Sequence, residues 1–288
     1  MSRLAVITPS YAPDFELCAD LHRSVLRHSP ESVRHHIIVP ARDLELFGQL
    51  AGPRTVLHDE ADFLPGSVRS LPGTKYRVNL RQPFPPLRGW ILQQIIKLAA
   101  ASRAEEDVVV MVDSDIEFIR PFSAETFRRD GVVRFYRNPG FIDDRLPRHV
   151  KWHQAARTLL GLPAAPPPYH DYVSSLLAWD PALVRQLLER VEASTGRRWA
   201  DVTGAQLHFS EWTLYGVFVD QLAAESSRSF ASDDALCHAY WDETPLDATT
   251  ARAFVAGAKD DDVAVMISAK SRTPLDAKRA AFGVTEQS

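Results

Sequence analysis

VVVMVDSDIEFIRPF, residues 108–122, decides how the rest of the chain is read. Val108–Val112 is an unbroken apolar, mostly β-branched run, the signature of a strand buried on both faces of a parallel sheet. It runs directly into Asp113 and Asp115, with Ser114 between them. Ligands of open parallel sheets bind beyond the carboxyl ends of the strands. Two carboxylates this close repel unless a cation lies beside them, and hard oxygen ligands select Mg2+ or Mn2+. A pair of solvated turn residues is the plainer account. The strand before the pair and the Ile-x-Phe-Ile-x-Pro-Phe run after it favour a metal-linked diphosphate site.

Outward from this strand, the chain alternates short strands with helices. Upstream come a strand at Arg3–Thr8, a helix after Asp14, a strand at His35–Pro40, a helix at Asp43–Leu50 and a strand at Thr55–Asp62. Pro65–Pro86 reads as a long irregular segment, and Gly89–Arg103 as a helix with Ile91, Leu92, Ile95 and Leu98 apolar. Downstream the pattern predicts strands at Val132–Asn138 and Tyr172–Asp180, and a helix from Pro181. A second helix spans residues 210–225 with Ser210 as its cap. Further strands are expected at Leu236–Tyr240 and Val263–Ser268, around a helix at Ala248–Ala258. Such alternation implies βαβ crossovers and a mostly parallel central sheet flanked by helices. Residues 1–268 are expected as one domain, with 1–121 the nucleotide-binding half and 122–268 the acceptor side. Residues 269–288 are expected as a weakly ordered tail.

The bulk properties narrow the function. The chain has 288 residues, 45% hydrophobic and 24% charged, with a formal net charge of −4. That is ample for a core without disulfide or structural metal. No basic block suggests a nucleic-acid partner. Cys18 and Cys237 fit two reduced thiols in a cytoplasmic protein, and no apolar run is long enough to span a bilayer.

VVVMVDSDIEFIRPF resembles the D-x-D segment of GT-A glycosyltransferases, nucleotide-sugar enzymes built on a Rossmann-like sheet. VITPSY (residues 6–11) and WILQQIIKL (residues 90–98) agree. SEWTLYGVFV (residues 210–219) resembles a string of a poorly characterised bacterial group of that type. The resemblance implies that Thr8, Ser10 and Tyr11 hold base and ribose, and that Asp59 meets one of them. It places Gln94 at ribose or sugar and Lys97 at a phosphate; the two lie three residues apart, on one helix face. Asp113 would contact sugar or metal, Asp115 the metal, and His238 would be a third ligand. The alternative for His238 is an ordinary strand histidine.

On the acceptor side Glu211 and Asp171 are the acids singled out. A carboxylate in the first turn is favoured by the helix dipole alone, by about 0.3–1 kcal/mol. The family string adds a catalytic role for Glu211, and Asp171 is placed to meet donor-sugar hydroxyls or act as a base. The resulting expectation is a metal-dependent hexosyltransferase that moves a sugar from a nucleoside-diphosphate sugar, UDP favoured, to an acceptor hydroxyl. Two alternatives compete. A nucleotidyltransferase would call for a glycine-rich phosphate loop, which TPSYAPDF lacks. A non-catalytic nucleotide-sugar-binding protein would keep the fold alone.

Overall fold

The computed structural model describes residues 2–71, 76–223 and 229–283. It is a mixed α/β protein around a five-stranded sheet. In spatial order the strands are Leu176–Trp179, Val108–Val112, Leu4–Pro9, Arg34–Val39 and Thr55–Asp59. The last four are parallel, and Leu176–Trp179 closes one edge antiparallel to Val108–Val112. Both central strands are buried along their whole length, as continuous apolar runs require.

Successive side chains leave a strand on opposite faces, so each central strand feeds two cores. Ala5, Ile7, Val109 and Met111 meet the helices Gly89–Arg103, Pro181–Thr195 and Glu211–Gln221 on one face. Leu4, Val6, Val108 and Val110 meet Leu21 and Val25 of the helix Phe15–His28 on the other. The chain lays strands outward from Leu4–Pro9 in one direction, then returns to add Val108–Val112 on its other side. The strand order therefore reverses between these two, which is the position where open α/β sheets have their ligand crevice.

Beyond the D-x-D, Ile116–Phe118 pairs antiparallel with Ala264–Ile267, which runs parallel to Cys237–Tyr240. This small sheet ties the last quarter of the chain to the crevice. Cys18 and Cys237 are both free and buried.

Several elements depart from the sequence reading. Pro65–Pro86 is not irregular where it is described: Val68–Ser70, Arg77–Asn79 and Gln82–Leu87 form an antiparallel meander, with 72–75 outside the described residues. The prolines at 83, 85 and 86 hid the last strand. They are tolerated because it lies at the sheet edge and pairs through Gln82 and Leu87. The expected tail carries a helix, Leu275–Phe282, held by Arg279 on Glu16 and Asp20 at 2.6 and 2.9 Å. Only 284–288 lie outside the described residues there. Asp43–Leu50 is a short helix, Leu44–Phe47, between two 3-10 turns, and the strand expected from Tyr172 starts at Leu176. The helix expected to reach Glu225 ends at Gln221, and 224–228 lie outside the described residues.

Candidate functional site

At the crevice Ser10 follows the first strand and Ser114 separates the two aspartates. Their hydroxyls meet at 2.9 Å, buried, and bridge the two strands where the order reverses. Ser10 N–H also donates to the Ile38 carbonyl. Tyr11 stands exposed next to this bridge. Thr8 points the other way: it is fully buried, with its hydroxyl 2.9 Å from His35 Nε2. His35 Nδ1 in turn lies 2.9 Å from His22 Nδ1, and His22 Nε2 3.0 Å from the Thr55 hydroxyl. Burial holds His22 down to about 4 and His35 well below the usual histidine range, so this layer is neutral.

Three expected residues, Lys97, Glu211 and Gln94, come together behind Asp113. Lys97 Nζ lies 2.9 Å from Asp113 Oδ1 and 3.4 Å from Glu211 Oε1, and 4.8 Å above the Trp212 ring. Burial alone would lower the Lys97 ammonium. The carboxylates of Asp113 and Glu211 more than offset it and hold it above the usual lysine range. Burial raises Glu211, opposed by Lys97. Gln94 is buried one turn earlier, where its Oε1 accepts from Glu211 N–H at 2.9 Å and its Nε2 donates to the Trp90 carbonyl. Gln94 thus docks one helix on the other with its amide buried, instead of facing outward as a ribose contact requires. Ser210 caps the second helix by accepting from Thr213 N–H, which sets Glu211 in the first turn, facing Lys97. Of the triad only Asp113 reaches solvent, its side chain 47% exposed against 6% for Lys97 and 4% for Glu211.

Asp115 accepts from Ala269 N–H at 2.7 Å. Its carboxyl is pushed up to about 6, by burial first and by Asp113 next. Asp14, which the sequence reading used only to start a helix and which makes no cap bond, is raised by burial and by Asp113. Lys278, from the last helix, faces Asp115, Glu117 and Asp14, and donates to the Ile267 carbonyl at 2.7 Å. Neighbouring carboxylates, oxygen donors alone, fit a hard divalent cation. Asp113 and Asp115 would hold it, with Asp14 beside them.

His238 does not join this set. Its ring stacks on Phe254 with centroids 4.1 Å apart, against the helix Ala248–Ala256. Among the described residues, one group of three acids gathers its ligand atoms within 4.8 Å: Asp234, Asp261 and Asp262, with no member from the D-x-D. Asp59 ends its strand at the same sheet edge as the crevice, where it caps a 3-10 turn by accepting from Ala61 N–H at 2.9 Å.

Leu176 pairs with Val112, so the segment Asp171–Ser175 enters at the D-x-D edge of the sheet. Asp171 is buried there opposite Asn138 and accepts from Val173 N–H at 3.0 Å. Burial pushes its carboxyl up to about 6.

A family model matches residues 4–271. The chain belongs to DUF6492, a family of unknown function. No curated protein matches it. The DUF6492 region spans the crevice, the Lys97 triad and Asp171, while Lys278 falls just outside it. Asp14, Ser114, Trp212 and Lys278 are the neighbouring residues to which the sequence reading gave no part in the site. Ser114 lay in the motif itself; Lys278 had no signal, since nothing local distinguishes it from a solvated helix lysine.

Proposed function

We propose that this DUF6492 chain is a GT-A-type glycosyltransferase that moves a sugar from a nucleoside-diphosphate sugar, UDP favoured, to an acceptor hydroxyl. One observation carries the reading. A D-x-D pair stands at a strand-order reversal with its first carboxylate braced on a buried Lys97–Glu211 pair. A carboxylate fixed at this edge suits a ligand whose orientation must be held, because a preorganised charge does not have to reorganise as the glycosidic bond breaks.

In this reading Asp113 touches donor sugar or ribose. Lys97 and Glu211 are positioning residues, since both are buried behind it; this moves Glu211 from the base expected of it to a support. Asp171 takes the base role. A carboxyl titrating near 6 carries a negative charge at neutral pH yet retains enough basicity to accept a hydroxyl proton. A divalent cation on Asp113 and Asp115, when bound, would supply charge stabilisation to the leaving diphosphate. Tyr11, exposed beside the Ser10–Ser114 bridge, offers a ring face to the base. Two reduced thiols fit a cytoplasmic setting, where nucleotide sugars serve as donors.

Thermal melting of the full chain with UDP, Mn2+, both together, and CTP tests this. The expected result is a stabilising shift that needs UDP and Mn2+ together, is lost in Asp115→Ala and is kept in Asp171→Asn, with turnover lost in the latter. A shift with CTP alone would move the assignment to nucleotidyl transfer, and no shift with any of them would remove it.

A further inference from the structure

The meander Val68–Ser70, Arg77–Asn79 and Gln82–Leu87 holds none of the residues described at the crevice. Its second hairpin turns through Leu80 and Arg81. Asn79 supplies the turn chemistry from the first position, by accepting from Arg81 N–H, and so leaves the choice of Leu80 and Arg81 to other demands. Leu80 is 62% exposed and Phe84, on the strand that follows, 78%. Tyr76 and Leu207 are also exposed, the latter held by Arg88 through its carbonyl. The tip is held firmly from beneath. Leu80 N–H donates to the Ser67 carbonyl at 2.8 Å and Arg81 N–H to Asn79 Oδ1 at 3.1 Å. Asn79 itself is buried and donates to Asp201 at 2.6 Å. Leu87, three residues past Phe84, is in the core. The apolar residues are thus presented outward by a packed element.

Between Asp62 and Glu105 the sequence has no carboxylate and seven basic residues, of which Lys97 is buried between Asp113 and Glu211 and Arg77 pairs with Glu60. Arg69, Arg81 and Arg88 are exposed, and Arg197 reaches in to Gln82. Exposed apolar residues on an element that also carries exposed guanidinium groups are complementary to a surface with anionic heads over an apolar interior. A protein partner would need a matching pocket for a convex tip; a bilayer accepts one without it. No helix among the described residues is long and apolar enough to cross a membrane, so such contact would be peripheral.

We propose that the Leu80–Phe84 tip and its arginines dock this chain onto the surface of a bilayer containing acidic phospholipids. The tip lies just before the helix that carries Lys97, so docking would set the crevice close to the lipid surface.

Co-sedimentation of the full chain with vesicles of phosphatidylcholine alone, and of phosphatidylcholine mixed with phosphatidylglycerol, tests the proposal. Binding is expected only to the mixed vesicles, weakening with added salt. Leu80→Asp/Phe84→Asp should cut it by roughly tenfold or more, as apolar insertion is lost. Arg69→Gln/Arg81→Gln should also weaken it, and both variants should keep the wild-type melting temperature. Equal binding to the two vesicle types, no binding to either, or undiminished binding by Leu80→Asp/Phe84→Asp would overturn the proposal. So would a concentration-dependent dimer that the same variant abolishes in a protein that ignores vesicles, since the patch would then belong to a second copy. None of these outcomes depends on the nucleotide test above.

Discussion

Lys97 is a cation with almost no access to water, set between two carboxylates. Such an arrangement adds little net stability, because desolvating the charges costs about what their attraction returns. Breaking it from one side is different, since the remaining charge is left buried. Lys97→Met is therefore expected to lower the unfolding free energy by about 3–5 kcal/mol. The double variant Lys97→Met/Glu211→Gln should recover much of that loss, because the uncompensated carboxylate is gone. Denaturant unfolding of wild type, both single variants and the double variant checks the coupling. Strict additivity would mean that Lys97 and Glu211 do not share one charge system. Asp113 differs from its two partners in facing water, and its own removal should register in ligand binding before stability.

The helix Glu211–Gln221 shows how an element places a residue. A Cβ at Gly216 would come within 2.1 Å of the Tyr172 ring, so the helix lies as close to that ring as a bare backbone allows. Tyr172 is fixed in turn by its hydroxyl on Asp220, at 2.6 Å. Gly216→Ala is expected to destabilise by about 1–3 kcal/mol through overpacking. Adding Tyr172→Leu should return part of that loss, as read from melting temperatures, whereas Gly216→Ala alone with no effect would mean that the helix has slack. Much at this scale could be read from sequence alone. The buried strand Val108–Val112, the Ser210 cap and the Lys97 helix all have local signals: an apolar run, a capping serine and helical spacing. What escaped depends on contacts between distant segments. Glu211 and Gln94 meet across 117 positions, and neither residue's neighbours say so. The last helix was missed because its fixing groups, Glu16 and Asp20, lie at the other end of the sequence. The proline-rich strand was missed because its pairing is decided by an edge position that only the assembled sheet defines.

For the whole molecule, acidity sets two trends against each other. His153, stacked 4.5 Å from Tyr169, and His22 are held near 4, and the unfolded chain takes up their protons near 6.5. Their contribution is complete above that value and is lost as pH falls from about 6.5 to 4. Asp115 and Asp171, raised to about 6, and Glu117, raised to about 7, run the opposite way. Their folded forms resist ionisation, so they weaken the fold as pH rises from about 4 through those values. His153→Phe should therefore gain on wild type as pH drops from about 6.5 toward 4. Asp115→Asn should be the more stable protein above about pH 6 and lose that advantage below about 4. Melting temperatures across this range check both signs. The bond between Arg279 and Asp20 spans 259 positions, and this has a bearing on biosynthesis. A ribosome adding about 5–20 residues per second has finished the acidic rim well before it reaches Lys278 and Arg279. For roughly ten to thirty seconds the nascent chain holds Asp14, Asp20 and Asp115 without their late-arriving cations. The contacts of the last helix with this rim would accordingly be among the last that a growing chain acquires.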